Sequence, residues 1–130
     1  MPLELTLFSH IFTSVSDFNR AYAFYSAVLN TLGIEPRFCE PDKPWAAWHS
    51  KDGTRPYFVI CKPFDDLAHN PGNGQMVAFA ASTRAQVDTA HAQALQQGGL
   101  CDGKPGLRPQ YHANYYGAYF RDLDGNKIAV

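Results

Sequence analysis

Glutamate is absent from this 130-residue chain after residue 40; Glu4, Glu35 and Glu40 are its full complement. No shift of register can therefore place that carboxylate on a later strand. Cysteine is scarce and scattered: Cys39, Cys61 and Cys101 are odd in number and not spaced as a metal-binding pair, so free thiols are expected rather than disulfides. A net charge of -1 without a basic cluster leaves no electrostatic footprint for nucleic acid. No run approaches the roughly 18 apolar residues needed to span a bilayer. The start, Met-Pro-Leu-Glu-Leu-Thr, has no basic region ahead of a long apolar stretch, and a cytoplasmic location is the expectation. With 45% hydrophobic and 18% charged residues, the chain has the means to bury a core of its own.

What is present is a repeat at an offset of 66 residues. The alternating segment His10-Ile11-Phe12-Thr13-Ser14-Val15 leads into Ser16-Asp17 and a helical pattern that closes on Gly33. Its counterpart is Met76-Val77-Ala78-Phe79-Ala80-Ala81, then Ser82-Thr83 and a pattern closing on Gly99. Caps, Leu29 with Leu95, and the two glycines fall in step. In the first helix Phe18, Ala21, Tyr22, Tyr25, Val28, Leu29 and Leu32 form the apolar face. In the second it is Val87, Ala90, His91, Ala94 and Leu95, with Gly98-Gly99 as the stop. Each helix is followed by a short strand and a hairpin. The first hairpin turns at Lys51-Asp52-Gly53-Thr54, between Trp45 to Ser50 and Tyr57 to Lys62. The second turns at Asp122 to Asn126, between Tyr115 to Arg121 and Lys127 to Val130. The reading is βαβββ twice, an α+β chain with one unit over about 5–66 and the other over about 74–130.

That order, with His10 followed by Asp17 and Phe24-Tyr25, with Met76-Val77-Ala78-Phe79, and with Tyr119-Phe120-Arg121-Asp122-Leu123-Asp124-Gly125-Asn126 and Ile128, resembles the vicinal oxygen chelate superfamily. Glyoxalases, extradiol dioxygenases, fosfomycin-resistance enzymes and bleomycin-binding proteins belong to it. The resemblance covers nearly the whole chain. It implies two tandem βαβββ units forming a curved mixed sheet around a cavity, and two chains paired as a homodimer. Family sequences often continue for several residues past the position of Val130, where this chain ends inside its last expected strand.

Family enzymes typically hold a divalent ion with one side chain from the first and one from the last strand of each unit, commonly His or Gln and then Glu. Carried onto this sequence, those positions are His10, Met76, one of Tyr57 to Ile60, and Ala129, so His10 is the single retained family ligand position. A thioether is a poor ligand for a hard ion. Gln75 lies one residue from Met76, and a one-residue slip would turn it to the other face of its strand. The expectation is no metal and no other cofactor.

Strand alternation places His10, Phe12 and Ser14 on one face, Met76 and Ala78 on one face, and Tyr115, Gly117, Tyr119 and Arg121 on one face. The resemblance puts the first two sets toward the cavity and Tyr119 near a substrate. Tyrosine joins apolar area to a polar handle, so such a pocket suits an aromatic or amphipathic small molecule. Following Gly103-Lys104-Pro105-Gly106, read as a loop, the stretch Arg108 to Gly117 admits two readings. Either it covers the pocket mouth and brings Arg108 and His112 to a bound anion, or Tyr111 and Tyr116 pack on the outer helices, Arg108 pairs with a backbone carbonyl and His112 lies at the surface. Tyr25 and His91 read as core or interface residues, His49 as solvent-facing, Trp45 and Trp48 as cavity-lining or dimer-packing, and residues 65–74 as the linker. Asp122 and Asp124 read as turn residues whose side chains bond the backbone.

The preferred expectation is a metal-independent small-molecule binding protein, with its ligand among Tyr119, Phe12 and His10. Ser14, Met76, Ala78, Tyr115, Gly117 and Arg108 are the further candidate ligand contacts. The alternative is a glyoxalase-like lyase or isomerase using His10 with Tyr119 or His112 as catalytic groups.

Overall fold

In a computed structural model, residues 6–130 are described. Glu4 and residue 5, where the first unit was expected to begin, lie outside them. The first unit contains β1 (His10–Ser14), α1 (Phe18–Thr31), β2 (Pro36–Glu40), β3 (Trp45–Trp48) and β4 (Tyr57–Cys61). The second contains β5 (Val77–Ala78), α2 (Arg84–Gln96), β6 (Leu100–Leu107), β7 (Tyr116–Arg121) and β8 (Lys127–Ala129). Each unit builds a four-stranded mixed sheet, in the orders β1-β4-β3-β2 and β5-β8-β7-β6, with its first strand parallel to its last. The repeat in sequence is thus a repeat in topology. The sheets are separate and do not close into a barrel.

Local chemistry sets the helix limits. Asp17, extended in backbone, accepts from the Arg20 amide and starts α1; Thr83 does the same for α2 through the Gln86 amide. Leu32 caps α1, and Gly33 follows at a φ of 75°, a left-handed conformation that glycine adopts without a Cβ clash. The buried stripe of α1 is Ala21, Phe24, Tyr25, Val28 and Leu29. In α2 it is Val87, Ala90, His91 and Ala94. Leu95, expected in that stripe, is 38% exposed.

One core joins the two units. Phe24 of α1 meets Phe120 of β7 edge-on at 6.0 Å, and Phe58 of β4 meets Phe79, after β5, at 5.0 Å. Polar contacts fasten the same seam. Asn126 Nδ2 donates to the Ser14 carbonyl at 3.1 Å, and the Ser16 amide donates to Asp124 Oδ1 at 3.1 Å. Trp48, one of the two tryptophans left open between cavity and dimer, lies in this core.

Two expectations about strands are corrected. Gly103 to Gly106 is part of β6 and not a loop. β6 is an edge strand with irregular register at both glycines, which is where a sheet tolerates Pro105. The first strand of the second unit was expected over Met76 to Ala81 and is confined to Val77–Ala78.

Candidate functional site

Alternation along the strands separates core from cleft. In β1, Thr13 is buried toward the helices while His10 and Phe12 are exposed on the opposite face. In β7, Ala118 and Phe120 enter the core, leaving Gly117, Tyr119 and Arg121 on the opposite face. Two adjoining cavities open on these faces. A larger one of about 600 Å³ is lined by Met76, Asp102, Arg108, Tyr111, Tyr119, Arg121 and Lys127, among others. A smaller one of about 140 Å³ is lined by Phe12, Ser14, His69 and Asn70 together with Gln75, Met76 and Lys127. Gln75, Met76 and Lys127 border both, so the cleft has two lobes with Met76 between them.

The larger lobe is phenolic and cationic. Burial, then hydrogen bonding to Tyr115, pushes the Tyr119 phenol up to about 12, so it stays a neutral donor at physiological pH. The Arg108 guanidinium and the Lys127 ammonium each lie 5.3 Å from the centroid of the Tyr119 ring. Asp102 takes Arg121 Nε at 3.0 Å and Lys127 Nζ at 3.5 Å. Gly117 leaves room for the Tyr115 ring; a Cβ there would stand 3.1 Å from Tyr115 Cε1.

The smaller lobe holds a contact that the sequence did not announce. His69, in the segment between the units, hydrogen-bonds Ser14 Oγ through Nδ1, and its Nε2 is buried without a partner. A polar linker carries no periodicity that would place one of its histidines beside a strand 55 residues away. Asp102, Arg121 and Lys127 were also missed as a group, although Arg121 and Lys127 flank one tight turn and so had to face each other.

The candidate residues do not gather in one place. Tyr119, Arg108 and Met76 line the larger lobe, and Phe12, Ser14 and Met76 the smaller. His10 lines neither; its Nδ1 is 2.9 Å from Ser9 Oγ and its ring is 5.5 Å from Phe12. His112 is exposed, packs edge-on against Tyr115 at 5.4 Å and accepts from the Asn114 amide. Tyr116 points to α2, where its hydroxyl donates to Asp88 at 2.6 Å, whereas Tyr111 lines the larger lobe. The two readings of that stretch therefore divide between its residues.

The four positions that hold the superfamily's ion do not suit one. In the β1–β4 register His10 stands beside Tyr57, whose ring carries the Arg37 guanidinium at 5.0 Å and that of Arg55 at 4.3 Å. Val59, on the same face, offers no donor, and in the second unit Ala129 pairs with Ala78 next to Met76 and Lys127. The four positions thus supply one imidazole, a phenol or hydrocarbon beside it, and in the second unit a thioether and a methyl group. Among the described residues, no three His, Cys, Asp or Glu side chains converge.

Fold and cleft define a class: paired βαβββ units with cavities on the sheet faces opposite the helices. Residues 7–130 match the family model of the Glyoxalase/Bleomycin resistance protein/Dioxygenase superfamily, and the chain belongs to that superfamily. It is similar to a glyoxalase/bleomycin resistance protein from Albidiferax ferrireducens T118, with 35% identity over 95% of this chain and 97% of that one at a TM-score of 0.85. A possible glyoxalase from Bacillus cereus (19% identity, 96% and 97% covered, TM-score 0.65) shares the fold. So does a glyoxalase-related enzyme from Fulvimarina pelagi (15%, 95% and 86%, TM-score 0.72). No functionally curated protein matches the sequence.

Proposed function

We propose that this chain is a metal-independent small-molecule binding protein of the superfamily, holding an aromatic or amphipathic ligand in the Tyr119 lobe of the cleft. The observation that carries the reading is the contrast between two places. The inherited ion positions offer His10, Met76, Tyr57 or Val59, and Ala129 among cations, whereas the lobe of about 600 Å³ offers phenols, a guanidinium and open volume. Two tyrosines, Tyr111 and Tyr119, supply flat apolar surface with a polar edge, which is what an aromatic guest needs, and Tyr115, outside the wall, packs behind Tyr111. The lyase alternative would need His10 near its acid partner, yet His10 is not part of the wall that Tyr119 belongs to.

The reading includes pairing of two chains. Exposed Phe12 and Phe64, with Trp45 and Cys61, line an apolar groove of about 410 Å³ on the first sheet, and a second copy is the occupant we assign to it.

The test is to follow binding of small aromatic probes by tyrosine and tryptophan fluorescence, with and without excess chelator, in the wild type and in His10→Gln. Affinity is expected to be unchanged by chelator and to fall less than about threefold in the variant, within the scatter of a distant surface change. Binding that collapses in chelator or in His10→Gln would contradict the proposal.

A further inference from the structure

We infer that the ligand of the Tyr119 lobe is an organic acid, a carboxylate carried on an aromatic body, bound with its charge between Arg108 and Lys127. The inference rests on the binding reading above and adds the chemical class of the ligand.

Charge balance is the first argument. Arg108, Arg121 and Lys127 enter the lobe and Asp102 is the one carboxylate in its wall among the described residues, so three cations face one anion there. The β7–β8 register sets Arg121 directly opposite Lys127, an arrangement that is unfavourable for like charges unless an anion sits between them. Asp102 bonds both and thereby answers one of the three charges. Arg108 has no carboxylate within ion-pair distance among the described residues; its donors reach the Lys104 carbonyl at 2.6 Å and the Leu107 carbonyl at 3.4 Å. Two positive charges are left for a guest.

The second argument is that Arg108 is seated. Its guanidinium folds back along β6 over two glycines. A Cβ on Gly103 would stand 3.3 Å from Arg108 Nη2 and 2.7 Å from Tyr119 Cδ2, and a Cβ on Gly106 would stand 3.1 Å from Arg108 Nη1. Any other residue at 103 would push the guanidinium or the phenol ring away. With two of its five N–H groups on backbone carbonyls, Arg108 is held with donors to spare, and its planar fork matches a carboxylate. The Tyr119 ring beside both cations gives the aromatic body a surface to lie on.

The test uses acid and amide pairs of the same shape: benzoate with benzamide, 2-naphthoate with 2-naphthamide, and indole-3-acetate with indole-3-acetamide. Each is titrated calorimetrically into the full chain at pH 7, at low and high salt. The acid of the best-fitting pair should bind roughly tenfold or more tighter than its amide, with the difference shrinking at high salt. Arg108→Gln, checked by an unchanged unfolding transition, should abolish most of that preference, the acid losing roughly tenfold more affinity than its amide. An amide that binds as tightly as its acid, or a preference unmoved by Arg108→Gln, overturns the inference but leaves the binding proposal standing. No binding by any acid or amide in these pairs overturns both.

Discussion

Asp122 is the residue on which the C-terminal hairpin is organised. Almost wholly buried, its carboxylate accepts from the Asp124 and Asn126 amides at 2.9 Å each, from Asn126 Nδ2 at 2.9 Å and from the Tyr25 hydroxyl at 2.5 Å. A buried carboxylate is tolerable only when its lone pairs are answered in this way. Burial, reinforced by the Asp122 charge, holds the Tyr25 phenol well above 10, so it acts as a fixed donor linking α1 to the turn. Tyr25→Phe removes that donor without opening a cavity. The expected loss is about 1.5–3 kcal/mol in urea unfolding, the range for a hydrogen bond to a charged group; a loss under about 0.5 kcal/mol, the scale of a neutral surface change, would mean that water or Asn126 replaces it. The sequence disclosed half of this pair. Asp122 was legible as a turn residue bonding its own backbone, and Tyr25 as a core position, but nothing in a helix face identifies a partner 97 residues later. His69 was hidden for a similar reason: its bond to Ser14 is a tertiary contact made from an aperiodic segment.

At the scale of elements, the helices and hairpins followed from local rules, and departures occurred where a tertiary neighbour decided. α1 is strongly amphipathic and its buried face matches the apolar spacing, apart from partial exposure of Phe18 and Tyr22 and the burial of Phe24, which that spacing left out. α2 has few large apolar side chains, and a buried imidazole, His91, completes its stripe. His91 lies against Phe120 at 6.5 Å, with Nε2 3.3 Å from Cys101 Sγ on β6. Burial lowers the His91 pKa from its ordinary value of 6.5, opposed in part by the Asp88 carboxylate on the same helix. Because the folded state disfavours the proton, the unfolded chain binds it more readily, and stability is lost as pH falls below about 6.5. Tm should therefore drop between pH 6.5 and 5, and drop less in His91→Gln. Equal declines in the two proteins would show that the neutral imidazole is not the source. The glycines of β6 were legible as a break in regular structure; that the break is an edge strand accommodating Arg108 depends on β7 lying beside it.

For the whole molecule, duplication made the architecture readable, because a 66-residue offset aligns caps, core positions and helix stops at once. The cleft was less readable. A sequence specifies which residues share a strand face, but how the two sheets diverge decides whether those faces share one cavity. Here they flank two lobes with Met76 between, which takes His10 out of the wall beside Tyr119. The ion positions, by contrast, could be examined from sequence, since they depend on residue identity at known places along strands. The proposed binding role requires that these positions hold no ion while the Tyr119 lobe holds the ligand. The most direct measurement is metal content of the purified chain by elemental analysis, followed by calorimetric titration with zinc, nickel, manganese and iron(II). No stoichiometric metal and no saturable heat with any of the four is expected; one equivalent bound tightly and lost in His10→Ala would overturn the metal-independent reading.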